Sequence, residues 1–186
     1  MFEDTTDFAG DNAANSMVIV DTKNLSELTI APKTDLPTVE KKVKDIEDSM
    51  DNAIADNYWH DSADFDIGDT IPFKLTGTMP SNARAYQTYK MVFHDDLSSG
   101  LNLVSGSFKV YMYTTKHLAD YDTAMTSGTD VTDYFVTPDN VAYDAPTDGC
   151  SFEVSCENVK NIPGATSNTA FVVYYEATLD GTVVIG

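Results

Sequence analysis

The chain has 186 residues, enough for one sizeable domain and an arm. Its 11 Lys and Arg stand against 30 Asp and Glu, for a net charge of −19, which excludes binding to nucleic acid or an anionic membrane by bulk electrostatics. An apolar fraction of 42%, with 10 tyrosines and 9 phenylalanines, excludes disorder and points to a β-rich core, while no apolar run approaches the ~20 residues of a membrane span.

Residues 1–16, MFEDTTDFAGDNAANS, are acidic and rich in small residues without a sustained period, and read as a loop or arm with no secretory leader pattern. Met17 and Ile19 then alternate with Val18 and Val20 as a short strand, and Leu28 to Ile30 form another, closed by Pro32. Asp35 to Pro37 read as a linker, because the residue before a proline is pushed toward extended geometry. The expected organisation is an N-terminal arm over 1–35 and one domain over 36–186.

Leu36 to Asp45, LPTVEKKVKD, sets Val39, Lys41 and Val43 on one face of a strand and Glu40, Lys42 and Lys44 on the other. Two readings stay open here. If the valine face meets the core, the Lys41 amine is buried and needs a partner; otherwise this is an edge strand with charges on both faces. The following DIEDSMDNAIADNYWHDSADFD is a solvated acidic loop anchored by Trp59, and it lacks the spacing of an EF-hand.

Further strands follow by alternation. Ile71, Phe73 and Leu75 oppose Pro72, Lys74 and Thr76 in a half-buried strand, with Pro72 at its start or on an edge. Tyr89, Met91, Phe93 and Asp95 share a face, the aspartate ending the apolar row, and Phe108, Val110 and Met112 oppose Lys109, Tyr111 and Tyr113. Asp130 to Pro138 holds a short turn or strand, and CSFEVSC is a strand that keeps Cys150 and Cys156 about 20 Å apart, so both thiols are free. Phe171, Val173, Tyr175, Ala177 and Leu179 share the last face. Strands parted by Gly, Asn, Asp and Ser clusters, with no long helical period, predict an all-β, Greek-key β-sandwich.

Searching for chemistry yields little that is conventional. His60, His94 and His117 are scattered without metal spacing, and no hydrolase, metalloprotease, nucleotide or dinucleotide motif occurs, so neither turnover enzyme nor metal nor cofactor is expected. Adjacent carboxylates such as Asp95 and Asp96 arise by chance among 30 acids. What stands apart is an inward lysine at the start of a β-domain and an inward aspartate at the end of a central strand.

Those two features carry a resemblance. From Leu36 to the end, PTVEKKVKD, DFDIGDTIPFKLTGTMP, YKMVFHDDLSSGL and YYEATLDGTVVIG follow in an order that resembles the isopeptide-forming D2 domain of Gram-positive fimbrial, sortase-assembled pilins. The resemblance implies an immunoglobulin-like, collagen-adhesin-type sandwich, in which a first-strand lysine joins an asparagine of the last strand with help from a buried acid. By position, Lys41 is the implied nucleophile and Asp95 the acid, with Lys42 and Asp96 as runners-up one residue out of phase. A dry core favours the neutral forms of an amine and a carboxylic acid alike, which are the forms such a reaction needs.

The chain also departs from that pattern. In the family the reactive asparagine lies beyond the equivalent of VVIG, whereas this sequence stops at Gly186, so the domain is expected to lack its last strand. Asn15, in AGDNAANSMVIV, is the nearest textual match; its strand either closes a preceding domain or occupies the vacant position opposite Lys41. Lys33 in LTIAPKTD aligns with the lysine that sortase links in a YPKN-like motif, though Ala31 and Thr34 replace the tyrosine and asparagine, and LPTVE is no LPxTG signal. The implied role is a structural module of an extracellular, cell-wall-anchored fimbria, with other pilin subunits as partners through sortase. The alternative is an adhesin domain for a host protein or glycan, which a groove clustering Trp59, Tyr86 and loop tyrosines would favour.

Overall fold

Ala170–Leu179, AFVVYYEATL, is the longest run of β-branched and aromatic residues, and the fold is hung on it. The computed structural model describes residues 37–44 and 59–181, all within the unit Pro37–Gly186. The arm over 1–35, its two expected strands, Asn15 and Lys33 lie outside the described residues.

In chain order the strands are β1 (Val39–Lys44), β2 (Trp59–His60), β3 (Thr70–Thr78), β4 (Met91–Asp95), β5 (Leu101–Leu103), β6 (Lys109–Tyr113), β7 (Thr129–Asp130), β8 (Phe152–Cys156) and β9 (Ala170–Leu179). One sheet runs β2-β1-β3-β9-β6-β7, with β5 also pairing β9. Along one edge β9 pairs β3 from Ala170 to Thr178. Its other edge is shared, the first half with β6 and the end with β5. The second sheet is the antiparallel pair β4 and β8, joined by a bridge from Val136 to Ser155. The chain crosses between sheets after β3, after β4 and again on either side of β8, and the outcome is the all-β sandwich that alternation predicts.

The main core lies between the sheets. Ile71, Phe73 and Leu75 of β3 and Phe171, Val173, Tyr175 and Ala177 of β9 meet Met91 and Phe93 of β4 and Phe152 and Val154 of β8. The backbones approach closely where Gly77 passes Phe93, since a Cβ there would lie 2.8 Å from two ring carbons. Cys150 and Cys156 are both free thiols, and only the second belongs to β8.

Two expectations change. The outer face of the large sheet is not solvated over its centre, because a short helix, α1 (Lys116–Tyr121), capped by Thr115, covers it and forms a second small core of Tyr113, Ala119, Ala170 and Val172. Consequently β3 is buried on both faces rather than half-buried: Lys74, on its supposed outer side, is only 3% exposed. Pro72 is in neither an edge strand nor a strand start; it pairs Glu176 of β9 and lies just past Val43 with Phe73, the last β1 pair of the described residues.

Candidate functional site

The site forms where β1, β4 and β9 bring one side chain each to the inter-sheet space. The period of two turns Lys41 the same way as Val43, opposite Leu75 of β3. On the facing sheet the same period carries Met91, Phe93 and Asp95 inward, and Asp95 is 7% exposed. The amine and the acid meet across the gap, with Lys41 Nζ 2.6 Å from Asp95 Oδ1.

The second carboxylate oxygen is also engaged. Tyr175 of β9 donates its hydroxyl to Asp95 Oδ2 at 2.5 Å. Burial, then the bond to Asp95, pushes that phenol well above its ordinary range, so it stays a donor. The tyrosine ring is fixed by stacking on Phe73 at 5.2 Å and Phe108 at 5.5 Å and by an edge contact with Phe152 at 4.9 Å. Lys41 Nζ lies 5.2 Å from the centroid of Phe73 and 6.0 Å from that of Tyr175, so one flank of the amine is a wall of aromatic rings.

The other flank is open. Lys41 is not enclosed as a core lysine would be: its side chain is 38% exposed. The reason is its place at the sheet margin, since β2 pairs only Val43 and Lys44 and Val39 at the start of β1 is largely exposed. The runners-up lie elsewhere. Lys42 faces away, bound to Asp61 at 2.6 Å and Glu40 at 3.2 Å, and exposed Asp96 accepts from the Ser151 amide at 3.2 Å.

Sequence reasoning placed Tyr175 on the inner face without giving it a role; the hydroxyl's partner depends on how two sheets stack, which no spacing within one strand encodes. It also passed over a lysine. Lys74 lies beneath α1 with Nζ 3.4 Å from the Ala119 carbonyl and 5.2 Å from the Trp59 ring, and burial lowers its pKa against the opposing pull of Asp120 and Glu40.

A second cluster gathers around His94, for which sequence spacing gave no metal pattern. His94 of β4 lies directly across from Glu153 of β8, and the turn entering β8 adds Asp148 and Cys150. Cross-strand register, not sequence spacing, assembles it.

Aromatic residues divide between two places. Trp59 and Tyr174, 6.3 Å apart, line an open groove of about 250 Å³ with Tyr111, Lys44 and Lys109. Tyr86 lies apart, packed on Tyr89 at 6.2 Å.

No family profile and no curated protein matches the sequence. Solved structures with a similar course of chain include the pilus backbone protein RrgB of Streptococcus pneumoniae, at 14% identity and a TM-score of 0.48, over 80% of this chain and 47% of that one. Two longer structures of the same pneumococcal pilin give 15% and 14% identity and TM-scores of 0.42 and 0.41, over 77% and 82% of this chain and 20% and 21% of theirs. The chain thus spans less than half the length of each of these structures, and at such identity the likeness transfers no residue role.

Proposed function

We propose that the chain is a structural β-sandwich module of a Gram-positive surface or fimbrial protein, and that Lys41 and Asp95 are its isopeptide-forming pair. One observation carries the reading: an amine and a carboxyl side chain from opposite sheets meet at 2.6 Å against a wall of aromatic rings. An ion pair with one partner 38% exposed contributes little to stability on its own. A chemical role explains why a lysine and an acid stand there.

The proposed reaction uses the contacts already made. The Lys41 proton passes along the hydrogen bond to Asp95 Oδ1, leaving a neutral amine and a carboxylic acid. The amine attacks the carboxamide carbon of an asparagine that enters by the open flank, while the Asp95 acid hydrogen-bonds the carbonyl oxygen and relays the proton. A C–N bond forms, the carboxamide C–N bond breaks, and one ammonia leaves. Tyr175 acts as a positioning residue, holding the carboxyl in plane through Oδ2. The product ties β1 to the strand that carries the asparagine, and such a link limits extension under load.

The binding-module reading has the aromatic groove in its favour. At about 250 Å³ the groove is below the roughly 300–1,000 Å³ of small-molecule pockets, and Tyr86 does not join it. The structural role is therefore the better supported.

Intact-mass analysis of the full chain beside Lys41→Ala and Asp95→Ala tests the proposal. With Asn15 as partner the wild type is one ammonia light and both variants have full mass. A full-mass wild type shows that no such bond forms within this chain and leaves the fold assignment standing. A deficit that survives Lys41→Ala refutes the proposed nucleophile.

A further inference from the structure

We propose that His94, Asp148, Cys150 and Glu153 bind a divalent transition-metal ion, zinc by the nature of the donors. His94 Nδ1 lies 3.0 Å from Asp148 Oδ2, 3.2 Å from Glu153 Oε1 and 3.8 Å from Cys150 Sγ, and all four donor atoms fall within 4.8 Å of one another. Tetrahedral zinc with bonds of about 2.0–2.3 Å needs donor separations of about 3.3–3.8 Å. The separations from His94 and the 4.8 Å outer limit bracket that range, so shifts of about 1 Å or less bring the four tips to the corners of such a shell.

The donor set decides the class of ion. One imidazole, one thiol and two carboxylates are borderline-soft in sum, whereas calcium and magnesium take oxygen donors alone. Four protein ligands close a tetrahedral shell, which is the structural rather than the catalytic kind of zinc site.

Contacts of His94 with its two carboxylates account for Asp148 and Glu153, and the Cys150 thiol, which donates to the Phe152 carbonyl at 3.4 Å, holds its sulfur 3.8 Å from the same imidazole nitrogen. Cys150 is brought there by a built turn. Gly149 takes the left-handed φ of 99° that lets its neighbours double back, and the Ser151 amide, donating to the Asp95 carbonyl at 2.9 Å, fastens the turn to β4. Metal binding displaces the Cys150 proton to solvent as the S–metal bond forms. The ion would clasp the 148–150 turn to β4 and β8, one residue along β4 from Asp95 and on the opposite face.

The test uses the full chain, free of affinity tags, reduced and stripped by chelator. It is titrated with Zn²⁺ by calorimetry and with Co²⁺ by visible absorption. The expected result is one ion per chain and a thiolate-to-cobalt charge-transfer band. Cys150→Ser abolishes the band, and it and His94→Ala each weaken Zn²⁺ binding at least about tenfold, the range that even an outer-shell loss costs. Lys41→Ala leaves binding and band unchanged, which keeps this result separate from the isopeptide proposal. Unchanged circular dichroism of the two ligand variants, whose side chains lie on the outer face, shows that the fold is intact. Absence of saturable binding, or binding undiminished in both ligand variants or matched by Ca²⁺, assigns any ion to the acidic surface at large and overturns the site.

Discussion

Removing one oxygen from Tyr175 probes the site most sharply. Tyr175→Phe keeps the ring and its contacts with Phe73, Phe108 and Phe152, and deletes only the donor to Asp95 Oδ2. A hydrogen bond to a charged group contributes about 1.5–3 kcal/mol, and here the acceptor left behind is 7% exposed, so water replaces the donor poorly. We expect a loss of about 2 kcal/mol, which for a domain of this size lowers the melting temperature by roughly 4–8 °C. The assay is urea unfolding of the wild type, Tyr175→Phe, Asp95→Ala and the double variant. In the Asp95→Ala background the hydroxyl has no carboxylate to serve, and its removal costs less than about 0.5 kcal/mol. Equal cost in both backgrounds within that margin refutes the coupling. If cross-linking occurs, Tyr175→Phe also slows ammonia release well below its melting temperature, which a purely structural role would leave unchanged.

Other consequences follow from neighbouring features. Lys74→Met replaces a buried ammonium, and we expect it to match or exceed wild-type stability at neutral pH. Because the folded-state pKa of Lys74 is lowered, the unfolded chain binds the extra proton between that value and the ordinary 10.5; wild-type stability therefore rises relative to Lys74→Met with pH across that window, measured by denaturant melts. Gly77→Ala forces a Cβ to 2.8 Å from the Phe93 ring and costs about 1–3 kcal/mol by the same assay. Asp122 is held at about 2: desolvation would raise it, but bonds from Ser127, Thr126 and Tyr113 outweigh that. Its stabilisation of the 122–127 loop is present above 3.8 and lost as pH falls through about 2, so the stability gap between wild type and Asp122→Asn closes over that range.

The inward direction of Asp95 was legible because a strand's period of two leaves only two choices and Met91 and Phe93 mark the buried one, whereas for Lys41 the valine face left two readings open. The same rule misjudged Lys74, since it supposes one solvated face and α1 covers the other. Six residues are too few for a helical period, so that helix gave no signal beyond the Thr115 cap. How far Lys41 is enclosed was not legible either, because burial at a sheet margin depends on what lies beside the strand and not on the strand. The His94 cluster was hidden for a third reason: His94 lies far in sequence from Asp148, Cys150 and Glu153, and only the register of β4 on β8 makes it their neighbour.

The central claim is that the Lys41 amine, activated by Asp95, forms an amide with an asparagine side chain. Tandem mass spectrometry of a digest tests it directly, on the chain alone and after incubation with a synthetic strand in which an asparagine precedes alternating apolar residues. The account predicts a branched peptide joined through Lys41 with one ammonia lost, and none in Asp95→Ala. Recovery of Lys41 only in linear peptides under both conditions, or a branch at Lys42 or Lys74 instead, contradicts it.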